Sequence, residues 1–425
     1  ASTDSPFDDP AGFVFGDAED QNVIKCGSYV GNGSTDGPEI NLGFEPQWLM
    51  IKCTSATGSW GIIDCMRGIV TGGNDAFSIA NGNNVDYDFD IMELTPTGFK
   101  ITASGSILNT NNETFVYTAI RRSDGYVGKP PELGTGVFAM GTSTGNSGDD
   151  IDSGFPVDFG FAKRTATAEG WYTSARLMEG LHLYTDTTAA EASNSYFPFD
   201  NNVGWTKGLN AGYQAFMWKR HAGFDVVTYE GNGVSGRQIL HSMNKTPEMI
   251  VVKRRSHSSN WFVYHIGLNG GTNPANYHLR LDDRNWEASS DLWNDTAPTS
   301  THFTLDDNSE VNGDGKTFIA ILFSSVDGIS KCGYYSGSNS SQTITTGFAP
   351  RFVMIKSITN VDEQNWYLLD TTRGWGSGND NILRPNLSDA QTSGDLGAPT
   401  STGFTLTVDN GSNSVGRNYI YYAHA

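Results

Sequence analysis

Short apolar runs separated by turn residues recur along the whole chain, and residues 224–328 give the clearest sample. Val226 to Tyr229, Gln238 to His241, Met249 to Lys253, Trp261 to His265, Tyr277 to Leu281, His302 to Leu305 and Phe318 to Phe323 read as strands, most of them rich in β-branched or aromatic residues. Asn232-Gly233, Asn269-Gly270 and Asn312-Gly313 are turn signals between them. Such a density of short strands in about 100 residues predicts an antiparallel sandwich or jelly roll.

The pattern repeats. Lys25-Cys26-Gly27-Ser28-Tyr29-Val30-Gly31 is matched by Lys331-Cys332-Gly333-Tyr334-Tyr335-Ser336-Gly337. Gly43-Phe44-Glu45-Pro46-Gln47-Trp48-Leu49-Met50-Ile51-Lys52 is matched by the run from Gly347 to Lys356. Trp60, Asp64 and Arg67-Gly68 follow the first run, and Trp366, Asp370 and Arg373-Gly374 follow the second at the same internal spacing. Two weaker copies lie between, marked by Pro247 to Lys253 with Trp261 and His265, and by Gly154-Phe155-Pro156 with Lys163 and Trp171. The expected fold is therefore all-β: a tandem array of four diverged antiparallel β-sandwich domains, jelly-roll or lectin-like, of about 100 residues each. The boundaries are an extended lead-in at 1–21, repeats at 22–123, 136–223 (the most diverged), 224–328 and 329–425, and a linker at 124–135 whose Pro130-Pro131 makes it the best hinge candidate. The other joints are short, which predicts a semi-rigid array.

Within each repeat the Pro precedes a near-continuous apolar strand such as Trp48-Leu49-Met50-Ile51, expected to be central and buried on both faces. Trp60, Trp171, Trp261 and Trp366 each open the next strand and are expected to anchor the core, where a buried ring contributes about 3 kcal/mol or more. The second repeat keeps a last strand, Tyr213 to Trp218, without a clear partner before it.

Composition narrows the function. With 50 Gly and 12% aromatics the chain suits many strands and tight turns rather than helical bundles. Its 27 basic and 47 acidic residues argue against nucleic acid or anionic lipid as general partners. No apolar stretch is long enough for a membrane-spanning helix, so no membrane insertion is expected. No signal peptide is visible, and a start at Ala1 reflects either removal of the initiator Met or absent upstream sequence. Cys26 and Cys332 fall at equivalent positions and are expected to be buried as small apolar residues; a disulfide or metal site is the alternative for the four cysteines.

The runs 25–33 and 43–52, Trp60…Asp64…Arg67-Gly68, Val227 to Gly233 with Ile250 to His265, and Leu383 to Ala390 resemble a domain of otherwise unknown function that recurs in virion proteins of marine and cyanobacterial phages. The likeness runs from about Gln21 to Ala425. It implies a non-enzymatic virion structural protein of the tail-fibre or appendage kind that contributes to host-surface attachment. A capsid decoration or cement protein is the alternative, and a polysaccharide-degrading tail enzyme a second one. It also implies location in an extracellular particle assembled in the host cytoplasm. Other virion proteins, further copies of the chain (a trimer by analogy with fibres) and a host-surface glycan are the expected partners.

The residues themselves offer little catalysis. There is no G-x-S-x-G elbow, and none of the eight His recurs with an Asp and a Ser. No catalytic residue and no cofactor is expected. The Asp64/Arg67 and Asp370/Arg373 pairs read as ion pairs fixing a strand end, or as sugar or ion contacts; His265 and Ala175 stand in their place in the other repeats. An acidic pair, if there were one, would be sought between Gly136 and Arg220. Asp306-Asp307-Asn308…Glu310…Asn312-Gly313-Asp314 has oxygen-rich spacing, with Asp307 and Asp314 as weak calcium ligands or plain turn residues; 109–113 and 409–411 are its counterparts. Trp205, Trp286, Trp293, Tyr334, Tyr335 and Trp375 lie outside the repeat pattern and are candidate contacts for a ligand or for neighbouring domains and subunits.

Overall fold

A computed structural model describes residues 24–105, 108–122, 133–145, 151–193, 195–206, 208–338, 340–359, 364–407 and 411–425. The lead-in at 1–21 and the Pro130-Pro131 joint lie outside them. Every strand pairing among the described residues is antiparallel, and each stays within one repeat. In the third repeat the main sheet runs, edge to edge, Phe224–Glu230, Thr317–Phe323, Met249–Arg254, Trp261–His265, Tyr277–Arg280 and Ala288–Ser289. The first repeat has the same order, with Ile24–Val30, Thr114–Arg121, Pro46–Cys53 and Trp60–Asp64 leading. The second has Phe138–Thr142, Tyr213–Trp218, Phe159–Arg164 and Tyr172–Ala175, and the fourth Ser330–Ser336, Asn418–His424, Phe352–Ser357 and Tyr367–Asp370. A smaller sheet covers one face of each: Arg237–Leu240 with His302–Leu305 in the third, for example. Residues of both sheets meet in one core, as Val353, Ile355, Tyr419 and Tyr421 do with Phe404 and Leu406 in the fourth. The fold is thus an all-β, multi-domain sandwich array. The missing partner strand of the second repeat is a two-residue pairing, Ile151–Asp152 with Gly204–Trp205.

The recurring motifs have local causes. Gly27 and Gly333 lie under the rings of Tyr117 and Tyr421 on the neighbouring strand, and a side-chain carbon at either would overlap the ring. The loop before the last strand is braced by one buried Asn. Asn312 accepts from Asn232 N (3.1 Å) and donates to Val234 O and Asp306 O (both 3.0 Å). Asn109 and Asn413 make the corresponding bonds in the first and fourth repeats. Asn312-Gly313 is therefore not a hairpin dipeptide: Asn312 ends a helical turn, Ser309–Asn312, and Gly315 takes the positive φ of 62°.

The chain does not form four independent beads. It divides into two compact units, residues 1–129 and 130–425, so the second, third and fourth repeats share one body. Their joints are tight: His221 and Phe224 exchange backbone hydrogen bonds, as do Val326 and Ser330. Val137, Ala222, Val326 and Ile329 gather the three repeat starts into one apolar cluster.

Burial separates the units. In the third and fourth repeats the central strand is buried on both faces, as expected. In the first repeat burial alternates: Leu49 and Ile51 are fully buried while Trp48 and Met50 are only half-buried, which corrects the expectation for this strand. Cys332 is buried but Cys26 is exposed, a second departure with the same origin, because both project from the same outer face.

Replacing Asn312 by Ala leaves one backbone donor and two carbonyls without partners at a buried site, and should cost about 2–4 kcal/mol. Urea unfolding of the Asn312→Ala chain should show that loss, and an unchanged midpoint would mean that the loop is held by other contacts.

Candidate functional site

The outer faces of three sheets meet inside residues 130–425, and recurring residues stitch them together cyclically. Trp171 Nε1 of the second repeat donates to Arg384 O of the fourth (2.9 Å). Trp366 Nε1 of the fourth donates to Arg280 O of the third (2.9 Å), and Trp261 Nε1 of the third returns to Tyr184 O of the second (2.9 Å). Each repeat gives such a contact to one neighbour and receives one from the other, so the contact closes after three steps.

A buried lysine follows the same circuit. Lys163 Nζ donates to Ser388 O (3.1 Å), Lys356 Nζ to Arg284 O (3.1 Å) and Lys253 Nζ to Thr188 O (3.0 Å). Each also holds a carbonyl of its own repeat: Thr167 O, Gln364 O and Ser259 O respectively. Carbonyl dipoles thus replace the water lost from each ammonium. Burial nonetheless lowers the pKa of Lys163, and that of Lys253 to about 8. Backbone bonds trace the circuit twice more. Glu169 N, Gln364 N and Ser259 N donate to Ser388 O, Arg284 O and Thr188 O. Gln391 N, Glu287 N and Glu191 N donate to Thr165 O, Ile358 O and Arg255 O.

The centre is apolar. Phe159, Met249 and Phe352 occupy one strand position in the three repeats, and Phe161, Val251 and Met354 the position two residues on. With Thr185, Leu281 and Pro385 they help to line a cavity of about 30 Å³. Such a space between apolar side chains stays dry. Around it Phe138, Trp218, Phe352 and His424 pack as an aromatic cluster, with centroids 4.6–5.7 Å apart where they touch.

The recurring indoles were expected in the sandwich cores, and the structure corrects this. Trp171, Trp261 and Trp366 are buried against a neighbouring repeat, and Trp60 of the first repeat is 38% exposed. Three of the four tryptophans outside the repeat pattern take core positions instead. Trp205 packs on Phe197 and Phe199, Trp293 donates to Tyr277 O, and Trp375 donates to Gly397 O beside Phe404. Burial to 4% exposure or less removes these three from the candidate ligand contacts. Tyr335 is half-buried, stacks on Tyr419 and donates to Ser412 O, so it is also a structural residue. Trp286 (36%) and Tyr334 (51%) remain exposed.

Asp64 and Arg67 form an ion pair at 2.7 Å, and Asp370 and Arg373 one at 2.6 Å; in both, the carboxylate also caps the following turn by accepting from the Arg backbone N–H. At the same place in the third repeat His265 accepts from Gly267 N and reaches Tyr421 O of the fourth repeat (3.3 Å). Complete burial pushes its pKa down to about 4. Arg176 of the second repeat instead pairs with Asp158 at 3.1 Å. That carboxylate also accepts from Arg220 N, and the half-buried Glu179, raised to about 7 by desolvation, accepts from Phe199 N. Asp307 and Asp314 are exposed turn residues, and no group of three His, Cys, Asp or Glu side chains that could hold a metal occurs among the described residues. The counterpart Asp409-Asn410 lies outside them.

The model of a family described as a domain of unknown function, DUF7483, matches residues 10–123 and 215–425, and the chain belongs to that family. The unmatched stretch is most of the second repeat. No curated protein and no solved structure matches.

His265 gives the three-repeat body an acid-sensitive point. Folded, it stays neutral down to about pH 4; unfolded, it takes up a proton below about 6.5. Its contribution is fully present above pH 6.5 and is lost as pH falls from there to about 4, in total about 3 kcal/mol. Glu179 acts in the opposite sense up to about pH 7, so a variant must be compared with its parent. His265→Asn should flatten the stability–pH curve in that window by about one proton. Parallel curves for the two chains would show that His265 is not buried neutral.

Proposed function

We propose that this chain is a non-catalytic structural component of a bacteriophage particle, of the tail-fibre or appendage kind, that contributes to attachment at a host surface. The observation that carries the structural part is the use made of the recurring residues. The indole and lysine of each of the last three repeats are spent on carbonyls of a neighbour, and both Asp–Arg pairs on capping their own turns. Residues that recur for chemistry would converge on a shared open pocket; these converge on backbone and on each other. The particle part rests on the resemblance of 25–33, 43–52 and the Trp60…Arg67-Gly68 run to virion domains. Trp286 and Tyr334 are exposed rings that a glycan could stack on.

Cryo-electron microscopy of particles carrying the chain tests this reading. Density on tail-attached appendages is the expected result. Density on the capsid lattice would replace the fibre reading with a decoration or cement role, and absence from the particle would sink both.

A further inference from the structure

We infer that the first repeat is an assembly module: three chains close a ring of three first repeats through the same contact that residues 130–425 make internally. This stands on the ring geometry alone and is independent of where the assembly is deployed.

The face that would form the ring is largely apolar. Ile24, Trp48, Met50, Lys52, Trp60 and Ile120 project from the outer side of the first main sheet. Ile24 is 56% exposed, Trp60 38%, and the other four are half-buried. Their counterparts are covered. At the Met50 position Phe161, Val251 and Met354 are 3–8% exposed; at the Lys52 position Lys163, Lys253 and Lys356 are 0%; at the Trp60 position Trp171, Trp261 and Trp366 are 0–1%. Burial along Pro46–Cys53 and Thr114–Arg121 alternates strictly after the first residues, whereas the matching strands of the other repeats are buried almost throughout. An apolar sheet face of this kind is a docking surface.

The donors are in place. Lys52 Nζ holds Gly58 O at 2.6 Å, as Lys253 holds Ser259 O, which leaves it with further donors. The Trp60 indole N–H has no acceptor among the described residues.

The acceptors are in place too, and they identify the partner. Trp60 N donates to Asn81 Oδ1 and Ala80 N to Trp60 O, as Trp261 N does to Asp282 Oδ1 and Leu281 N to Trp261 O. That match sets Ile79 at the position of Tyr184, Arg280 and Arg384, and Asn83 at that of Thr188, Arg284 and Ser388. Ile79 O and Asn83 O are therefore the carbonyls that Trp60 and Lys52 of the next chain would meet. Residues 80–86 are all exposed. One repeat thus carries both halves of a head-to-tail contact, and a contact of that kind closes into a ring whose order its rotation fixes. In residues 130–425 that order is three.

Sedimentation velocity and light scattering on the full chain test this. The expected mass is three times the 46.0 kDa of one chain. Met50→Glu and Ile24→Asp should each bring it to the one-chain mass. Ile24 lies on an exposed edge strand, so the second substitution spares the core, and near-ultraviolet circular dichroism reports folding for both. Lys52→Met should raise the dissociation constant of the trimer more than tenfold. Leu240→Asp, at an exposed position of the third repeat, should leave the mass unchanged. A wild-type monomer or dimer would overturn the inference, and so would a trimer that folded Met50→Glu and Ile24→Asp chains still form. Neither failure bears on whether the chain lies on a particle.

Discussion

The structure depends on one demand: a sheet with two apolar faces needs two covers. The small sheet of each repeat provides the first. The second has to come from outside the repeat, and among the last three it comes from the neighbours. Nothing in a single repeat of about 100 residues could bury Lys253, Trp261 and the two sides of Met249–Arg254 together. The repeat is therefore a folding pattern but not a finished unit, and the body of residues 130–425 is the smallest arrangement in which its pattern is satisfied for three copies.

Closing the circuit has an energetic logic. Each indole and ammonium reaches a carbonyl that would otherwise lose a partner when water leaves the joint. Removing one repeat would expose two joints, because each repeat is donor to one neighbour and acceptor for the other. Covalent linkage helps as well: segments joined by short turns meet at effective concentrations of about millimolar or more, without the entropy loss of bringing separate molecules together.

Much of the fold was legible in the sequence. Strand and turn patterning located the strands of the third repeat to within a few residues, and the four copies could be aligned from Lys-Cys-Gly, the proline-led strand and the following Trp. The Asp–Arg pairs were read as strand-end ion pairs, and both are. The roles of the tryptophans could not be read, and came out inverted. Recurrence marks an indole as important but does not say which side of a sheet it covers. A strand apolar on both faces looks the same whether its second cover is the same domain or the next one. The recurring lysine was the available signal. A cation at one position in an otherwise apolar strand in every repeat, Lys52, Lys163, Lys253 and Lys356, is costly inside a core and useful at a joint lined with carbonyls. The buried asparagine was hidden for a related reason: its run is rich in oxygen, and only the fold shows that those oxygens face backbone.

The mixed lining of the central cavity carries a further consequence. Where identical subunits surround an axis, every substitution is made three times at once, and a larger side chain must be tolerated by two copies of itself. Fusing the repeats removes that coupling. Phe, Met and Phe can share one level, and Thr, Leu and Pro another, each adjusted singly to the space its companions leave. A joined ring can drift one residue at a time, whereas any ring assembled from separate identical chains must change in threes.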